Sequence, residues 1–466
     1  MFPGPPRQIQ HFDIDASRTH DRGAARTVPA RRDPEPATTK DASPLLTNEA
    51  TSQPSPDVSA RALVRERDYM IYLTTRFFGV IGTVAQSVTM GWQVYDLARA
   101  EHEVAQAALY VGLLGLATFL PLFVLALPAG VVADRFDRKR VLALCFAGEA
   151  LCAGALVAAV VFGFISIGVL LAAAFAFGTA RAFRAPAGVS LAPMLVPKTL
   201  LPRAIAWNAL AFQVATIGGP SLAGLLVGRW SSAHSYAVSL LTYLIPLVGL
   251  SFIRKPTRPD VQPGSRLQQV KEGLAYIRDN KVVLGAISLD LFAVLLGGAT
   301  ALLPVFARDI LEVGAEGFGL LRSAPAVGAA TMALYLASRP IRRRAGPAMF
   351  TGVAIFGAAT VVFGLSRSFW LSLGALAILG AADMISVFVR QTLIQIVTPD
   401  PMRGRVAAVS FLFIGASNEL GEFESGVTAR LFGPVLAAVL GGVASLSVTG
   451  LWARLFPDLR KVDRLE

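Results

Sequence analysis

Apolar residues arrive along this chain in twelve long runs separated by short polar stretches, at 69–95, 106–132, 141–163, 165–185, 205–228, 235–253, 282–305, 317–337, 347–365, 369–389, 406–429 and 433–453. A helix needs about 20 apolar residues to cross the ~30 Å of hydrocarbon in a bilayer. Backbone polar groups have no water there, so they must be satisfied within each segment. The pattern therefore predicts an all-α membrane protein with twelve transmembrane helices. Residues 1–66 are rich in Pro, Ser, Thr, Asp and Arg and lack apolar periodicity, which predicts a disordered cytoplasmic extension. Nothing in it resembles a cleavable signal peptide, and Asp13, Asp15, Asp21, Asp33 and Glu35 argue against a transit peptide.

The loops alternate in charge. Arg135, Arg138, Lys139 and Arg140 follow the second run; Arg181, Arg184, Lys198 and Arg203 surround the end of the fourth; the 254–281 connection is strongly basic; and Arg339, Arg342, Arg343, Arg344, Arg390, Arg403, Arg405, Arg454, Arg460, Lys461 and Arg464 continue the series. The intervening connections hold at most one arginine each, namely Arg99, Arg229, Arg308, Arg367 and Arg430. The positive-inside rule then puts both termini in the cytoplasm of a cell whose inner (plasma) membrane the chain crosses. The longest connection divides the spans six and six, giving halves at 67–253 and 282–455, a linker at 254–281 and a tail at 456–466. Leu267, Val270, Leu274 and Ile277 recur at helical spacing in the linker, which predicts a short amphipathic helix on the inner membrane surface. An internal echo, Val196-Pro197-Lys198 with Arg203 and Thr398-Pro399-Asp400 with Arg405, keeps the same proline-to-arginine spacing in both halves.

Composition agrees: 54% of residues are hydrophobic, 16% are charged, and the mean hydropathy is +0.56. The net charge of +12 could suggest nucleic acid, but the basic residues sit in short clusters between apolar runs, so no nucleic-acid partner is expected. Cys145 and Cys152 lie seven residues apart in one run, too far to bond, and read as packing residues. His11, His20, His102 and His234 fall in the tail or in loops, so no metal cluster and no cofactor are expected. No paired-histidine motif, phosphate-cradling glycine loop or activated serine or cysteine is present, so an enzyme is not expected.

The loop after the second run reads Gly130-Val-Val-Ala-Asp134-Arg135-Phe-Asp137-Arg138-Lys139-Arg140. It closely resembles the signature of the major facilitator superfamily. By that resemblance Gly130 permits close packing, and Asp134 is a gating carboxylate with Arg135, Arg138 and Lys139 as its basic partners. Asp137 stands where the signature carries glycine, so the tight left-handed turn expected there is in doubt. Gly218-Gly219-Pro220-Ser221-Leu222-Ala223-Gly224 partly resembles the antiporter motif of exporters, which implies roles for Gly219, Pro220 and Gly224; small residues and a proline equally serve close helix packing. Thr398 to Val406 and Asn418-Glu419-Leu420-Gly421-Glu422 look like the branch of siderophore exporters and transmembrane secretion effectors. The resemblance covers about residues 67–460.

An ionised side chain at the centre of a span costs about 2.5–3.5 kcal/mol, so each one needs water, a partner or a proton. Glu419, Glu422 and Glu424 lie in the eleventh run, with Glu419 and Glu422 on one face. They read either as proton carriers or as a paired structural cluster, with Asn418 as donor and an arginine nearby. Asp290 and Asp383, in the seventh and tenth runs, are placed by the resemblance at the central cavity, with Glu149 of the third less so. Arg76 and Arg322 are the candidate counter-charges, and Gln86, Gln93, Asn208 and Gln213 are candidate cavity donors or helix glue. The expectation is a monomeric, proton-coupled exporter of small amphipathic molecules working by alternating access; an importer or facilitator of the same fold and a non-catalytic membrane sensor are the alternatives.

Overall fold

The computed structural model describes residues 60–258, 266–341 and 343–463. The disordered extension expected for the N-terminus lies outside the described residues up to position 59. Among the described residues no strand forms, and twelve long helices make up the body: α1 (Arg67–Glu101), α2 (Val104–Val124), α3 (Arg138–Val161), α4 (Ile167–Leu195), α5 (Leu201–Arg229), α6 (Ser232–Ser251), α7 (Lys281–Leu296), α8 (Gly314–Ser338), α9 (Ala345–Leu365), α10 (Phe369–Val397), α11 (Asp400–Phe432) and α12 (Pro434–Leu455). Ten of them are long and apolar enough to cross a membrane. The other two, α1 and α11, are the longest at 35 and 33 residues and carry internal charges, including Arg76 and Asp96 in one and Glu419, Glu422 and Glu424 in the other. Large apolar side chains such as Leu144, Leu151, Phe162, Leu334 and Trp370 are left exposed on the outside of the body. In water that would be costly; against lipid tails it is not.

Two helices outrun their predicted ends. The apolar runs stop at 185 and 389, but α4 continues to Leu195 and α10 to Val397. The terminators are Pro197 and Pro399: a proline pushes the preceding residue out of the helical region, and Val196 and Thr398 are both extended. Arg390, which follows the tenth apolar run, is therefore inside a helix, and Arg181 and Arg184, at the close of the fourth run, lie well inside theirs. The second span is broken instead of continuous, because Pro121 lies within α2 and the chain pauses at Leu125 before a short helix, Ala126–Arg135. After α7 the chain is irregular, passing through a 3-10 turn at Ala299–Leu302 and a π turn at Phe306–Ile310.

The halves meet through α2 on α11 and α5 on α8, the second helix of each half against the fifth of the other. Glycines make these contacts possible. A Cβ on Gly112 would come within 3.0 Å of the Gly426 Cα, and one on Gly224 within 2.8 Å of the Gly319 Cα. With no side chain at the crossing the backbones touch, which is how helices associate where lipid removes the hydrophobic drive.

The linker is fastened at both ends. Its start is held to the first half: the Arg254 and Lys255 amides donate to Asp68 Oδ2 at 3.1 and 2.8 Å, and the Thr257 hydroxyl donates to Asp137 Oδ1 at 2.5 Å. Its helix, Arg266–Asp279, packs on α11, with the Arg405 carbonyl 2.8 Å from where a Gly273 Cβ would stand. The predicted apolar face is divided. Ile277 is buried with Val283, Ile394, Val406 and Val409, whereas Leu267 and Leu274 are exposed. The C-terminal tail is docked too, since the Gly346 amide donates to the Val462 carbonyl at 3.0 Å.

Candidate transport site

A cavity with about 490 Å³ of empty space lies where the halves meet. Ser87, Met90 and Gly91 of α1 and Val111, Gly115 and Thr118 of α2 line it from one half; Thr300, Phe318, Arg322, Glu419 and Glu422 line it from the other. Its charges are arranged in pairs. Arg181 of α4 reaches across the halves to Glu419 Oε1 at 3.2 Å, and Arg322 of α8 reaches Glu422 Oε1 at 3.0 Å. The Arg322 guanidinium also donates to the Thr300 carbonyl, and Gly115 leaves room for Glu422, whose Cβ would lie 3.0 Å from an added methyl.

Glu419 and Glu422 of the eleventh helix are both paired in this arrangement. Each carboxylate has its own guanidinium, and Asn418 donates instead to the Ile414 carbonyl of its own helix. Glu424 points elsewhere, accepting the Thr428 hydroxyl at 2.7 Å. Arg322 is the counter-charge of Glu422, and not of Asp290 or Asp383. Arg76 is no counter-charge: its guanidinium lies near the Tyr72 hydroxyl and the Phe212 ring, and no carboxylate among the described residues is within ion-pair distance. The partner that sequence reasoning missed is Arg181. The distance from the Ser166 cap to Pro197 was the available signal, because it leaves 29 residues for one helix and puts Arg181 near its middle.

Asp290 and Asp383 do not line this central cavity. They share a second, smaller one of about 200 Å³ whose lining residues, among them Val353, Phe356 and Ser386, all belong to the second half. There the buried Arg390 pairs with Asp290 Oδ2 at 3.3 Å, and the Ser386 hydroxyl donates to Asp290 Oδ1 at 3.2 Å. The first half holds its own buried pair, Arg184 on Glu149 at 2.8 Å, with Arg184 also donating to Thr83. Three of the four amides bridge helices. Gln86 contacts Cys152, Gln93 accepts the Tyr236 hydroxyl, and Gln213 donates to the Ala326 carbonyl across the halves; the Asn208 carbonyl oxygen is buried and accepts no hydrogen bond.

The signature loop is built on helix ends. Gly130 is buried, Asp134 is half-buried and Arg135 is exposed. Arg138 donates to the Ser190 carbonyl at 2.8 Å and Lys139 to the Ile253 carbonyl at 3.0 Å, cations at the C-terminal ends of α4 and α6 where the helix dipoles favour them. Asp137 forms no left-handed turn. Its backbone is extended, and it caps α3 by accepting the Lys139 amide at 3.0 Å. A carboxylate cap has thus replaced the glycine turn. Gly219 abuts Val84 of α1; the Pro220 carbonyl and Gly224 lie against Gly319 of α8.

The opposite end of the molecule is closed by charge. Tyr95 donates to Asp309 Oδ2 at 2.5 Å and Arg99 to Asp309 Oδ1 at 3.0 Å, while Arg308 pairs with Asp96 in the reverse sense. Arg229 and Glu316 add an exposed pair at 3.3 Å.

A family model described as transmembrane secretion effector matches residues 58–466. The chain belongs to that family, a branch of the major facilitator superfamily. The enterobactin exporter EntS of Citrobacter koseri is 28% identical over 398 residues, covering 83% of this chain and 91% of that protein. EntS of Escherichia coli is 26% identical over 400 residues, with the same coverage. Among solved structures, a bacterial homologue of the lysosomal transporter Spinster in an inward-facing, unoccupied conformation superposes with a TM-score of 0.67 at 14% identity, covering 84% of this chain and 98% of that one. A D-xylose–proton symporter superposes at 0.64 with 13% identity, covering 85% and 99%. At these identities the superpositions establish the fold. The protein is a multi-pass membrane transporter of small molecules.

Proposed function

We propose that this transporter exports small amphipathic organic molecules, siderophores among them, by rocking its two halves about the central cavity, with a proton moving in the opposite direction. The observation that carries the reading is the Arg181–Glu419 pair, an ionic contact between the halves in the cavity wall. A substrate with an acidic or oxygen-rich face can take over the Arg181 and Arg322 guanidinium groups, releasing the glutamates and loosening the contact between the halves. Apolar lining from Met90, Val111 and Phe318 suits the rest of such a molecule. Export is favoured over import by the enterobactin exporter relatives.

In this reading both termini and the signature loop face the cytoplasm of the inner membrane, the tyrosine–aspartate–arginine cluster faces outward, and Asp134 gates the inner side. A monomer suffices, because the cavity is complete within one chain. The test is uptake into everted vesicles with an acid interior, using enterobactin and a drug panel. Accumulation driven by the gradient supports proton-coupled export; no accumulation of any compound overturns it, and gradient-independent equilibration supports a facilitator.

A further inference from the structure

Among the described residues, three groups of ionisable side chains lie within the helices, with Glu149, Asp290 and Arg390 buried and the others half-buried. In the central cavity two glutamates face two arginines. In the first half one glutamate, Glu149, faces one arginine, Arg184. In the second half two aspartates face one arginine: Arg390 bonds Asp290, and no hydrogen bond or salt bridge among the described residues falls to Asp383. With every acid ionised, the first two groups are neutral and the third carries one negative charge.

Asp383 is also the middle residue of α10, which runs from 369 to 397, so it stands ~21 Å from either end of its helix. The other uncompensated charges are shallower. Arg76 lies ~14 Å from the start of α1, and Glu424, which has a hydroxyl partner, lies ~12 Å from the end of α11. No neighbouring helix supplies a second cation: in α11, Arg403 and Arg405 pair with Asp400 and Glu272, and Arg430 stands in the last turn. The α9 helix has no charged residue, α12 has only Arg454 near its end, and α7 has only Lys281 at its start besides Asp290. In α8, Glu316 and Arg322 are engaged with Arg229 and Glu422. The position is also closely packed. The Ala382 carbonyl lies 3.0 Å from where a Gly352 Cβ would be, and the Pro325 backbone is pressed against Gly380. The cavity both aspartates line has room for about one water molecule.

We propose that the Asp290–Asp383–Arg390 group is the coupling-cation site of this transporter, binding one proton on Asp383, and that it is separate from the glutamate–arginine pairs that meet the substrate. This rests on the transport reading above. One proton on the Asp383 carboxylate brings the group to zero net charge, so loading and release toggle a site inside the second half while the central pairs stay free to exchange partners with substrate.

Infrared titration of the full-length chain reconstituted in lipid reads protonated carboxylic acids directly and needs no substrate. A carboxylic-acid band that appears and disappears with bulk pH is expected in the unmodified protein, retained in Glu419→Gln and Glu422→Gln, and lost in Asp383→Asn. Asp383→Glu, which keeps an acid in place, is expected to retain a titrating band at a shifted position, so a misfolded asparagine variant does not decide the matter. Absence of any titrating band, its loss in a glutamate variant, an unshifted band in Asp383→Glu, or a response to sodium at fixed pH in place of protons would each overturn the proposal. Enterobactin loaded into the same vesicles separates the two readings: a band that behaves as stated, without gradient-driven movement of enterobactin, leaves the proton site standing and removes the export function.

Discussion

Arg181, on the fourth helix of one half, touches Glu419, on the fifth helix of the other, at 3.2 Å. Removing either partner strands the other in the cavity wall, so Arg181→Gln and Glu419→Gln are each expected to impair enterobactin transport strongly, with the double variant less impaired than the sum of the two. Contacting residues in such cycles couple by about 0.5–3 kcal/mol. Additive losses in proteoliposome transport rates would mean that the contact between the halves carries no part of the cycle.

Gly224 offers a second test. An added Cβ would stand 2.5 Å from the Ala315 carbonyl and 2.8 Å from the Gly319 Cα, both backbone atoms that cannot swing aside. Gly224→Val is expected to wedge α5 from α8, lowering both the unfolding temperature in detergent and the transport rate. Unchanged values of both would remove the backbone contact as a determinant.

In the proposed cycle the paired charges at the Tyr95 end serve as a latch. Asp309→Asn keeps the shape of the acceptor but weakens its bonds to Tyr95 and Arg99. The expected result is greater labelling, from the outer side, of a cysteine introduced at Ser87 in the cavity, measured with a membrane-impermeant maleimide. No gain in labelling would show that the helices stay closed without the latch.

Asp137 makes a prediction about pH. Burial pushes its carboxyl up, but the Thr257 hydroxyl, the Lys139 and Arg140 amides and the Lys139 charge outweigh that and hold it below its ordinary value. A carboxyl lowered in the folded state stabilises the fold above its unfolded value, and that stability is lost as pH falls through the lowered one. Asp137→Ala should therefore cost about 1 kcal/mol at neutral pH, the usual worth of a helix N-cap, and cost less in acid. Thermal unfolding of both proteins across the acid range checks the sign; an equal cost at every pH would assign the effect to packing.

Asp134→Asn tests the gate assignment. Expression should be intact and efflux crippled; efflux at the unmodified rate would leave the residue without that role.

The fold was legible because hydrocarbon permits so few backbone solutions: apolar runs of span length could only be helices, and the loop charges separated them. What the runs could not reveal was where a helix stops once polar residues re-enter it. Arg181 and Arg184 looked like charges at a helix end because they close the fourth apolar run, and Arg390 looked like a loop charge because it follows the tenth, yet the helices continue to Leu195 and Val397, where the residue before a proline is forced extended. The acids were visible in the sequence as costly residues without partners. Their pairing was not, since Arg181–Glu419 joins residues 238 apart and depends on how two helices are rotated. Asp137 ran the other way: the departure from the signature was plain in the sequence, and the cap that replaces the turn is a local property of aspartate at a helix start.

The linker's double fastening sets a limit of its own. Thr257 is tied to one half and the helix beginning at Arg266 rides on the other, so only nine peptide steps of slack separate the anchors, at most ~30 Å of fully stretched chain. However the halves tilt, the mouth on that side can gape no wider than this leash allows without first tearing Thr257 from the carboxylate that begins α3.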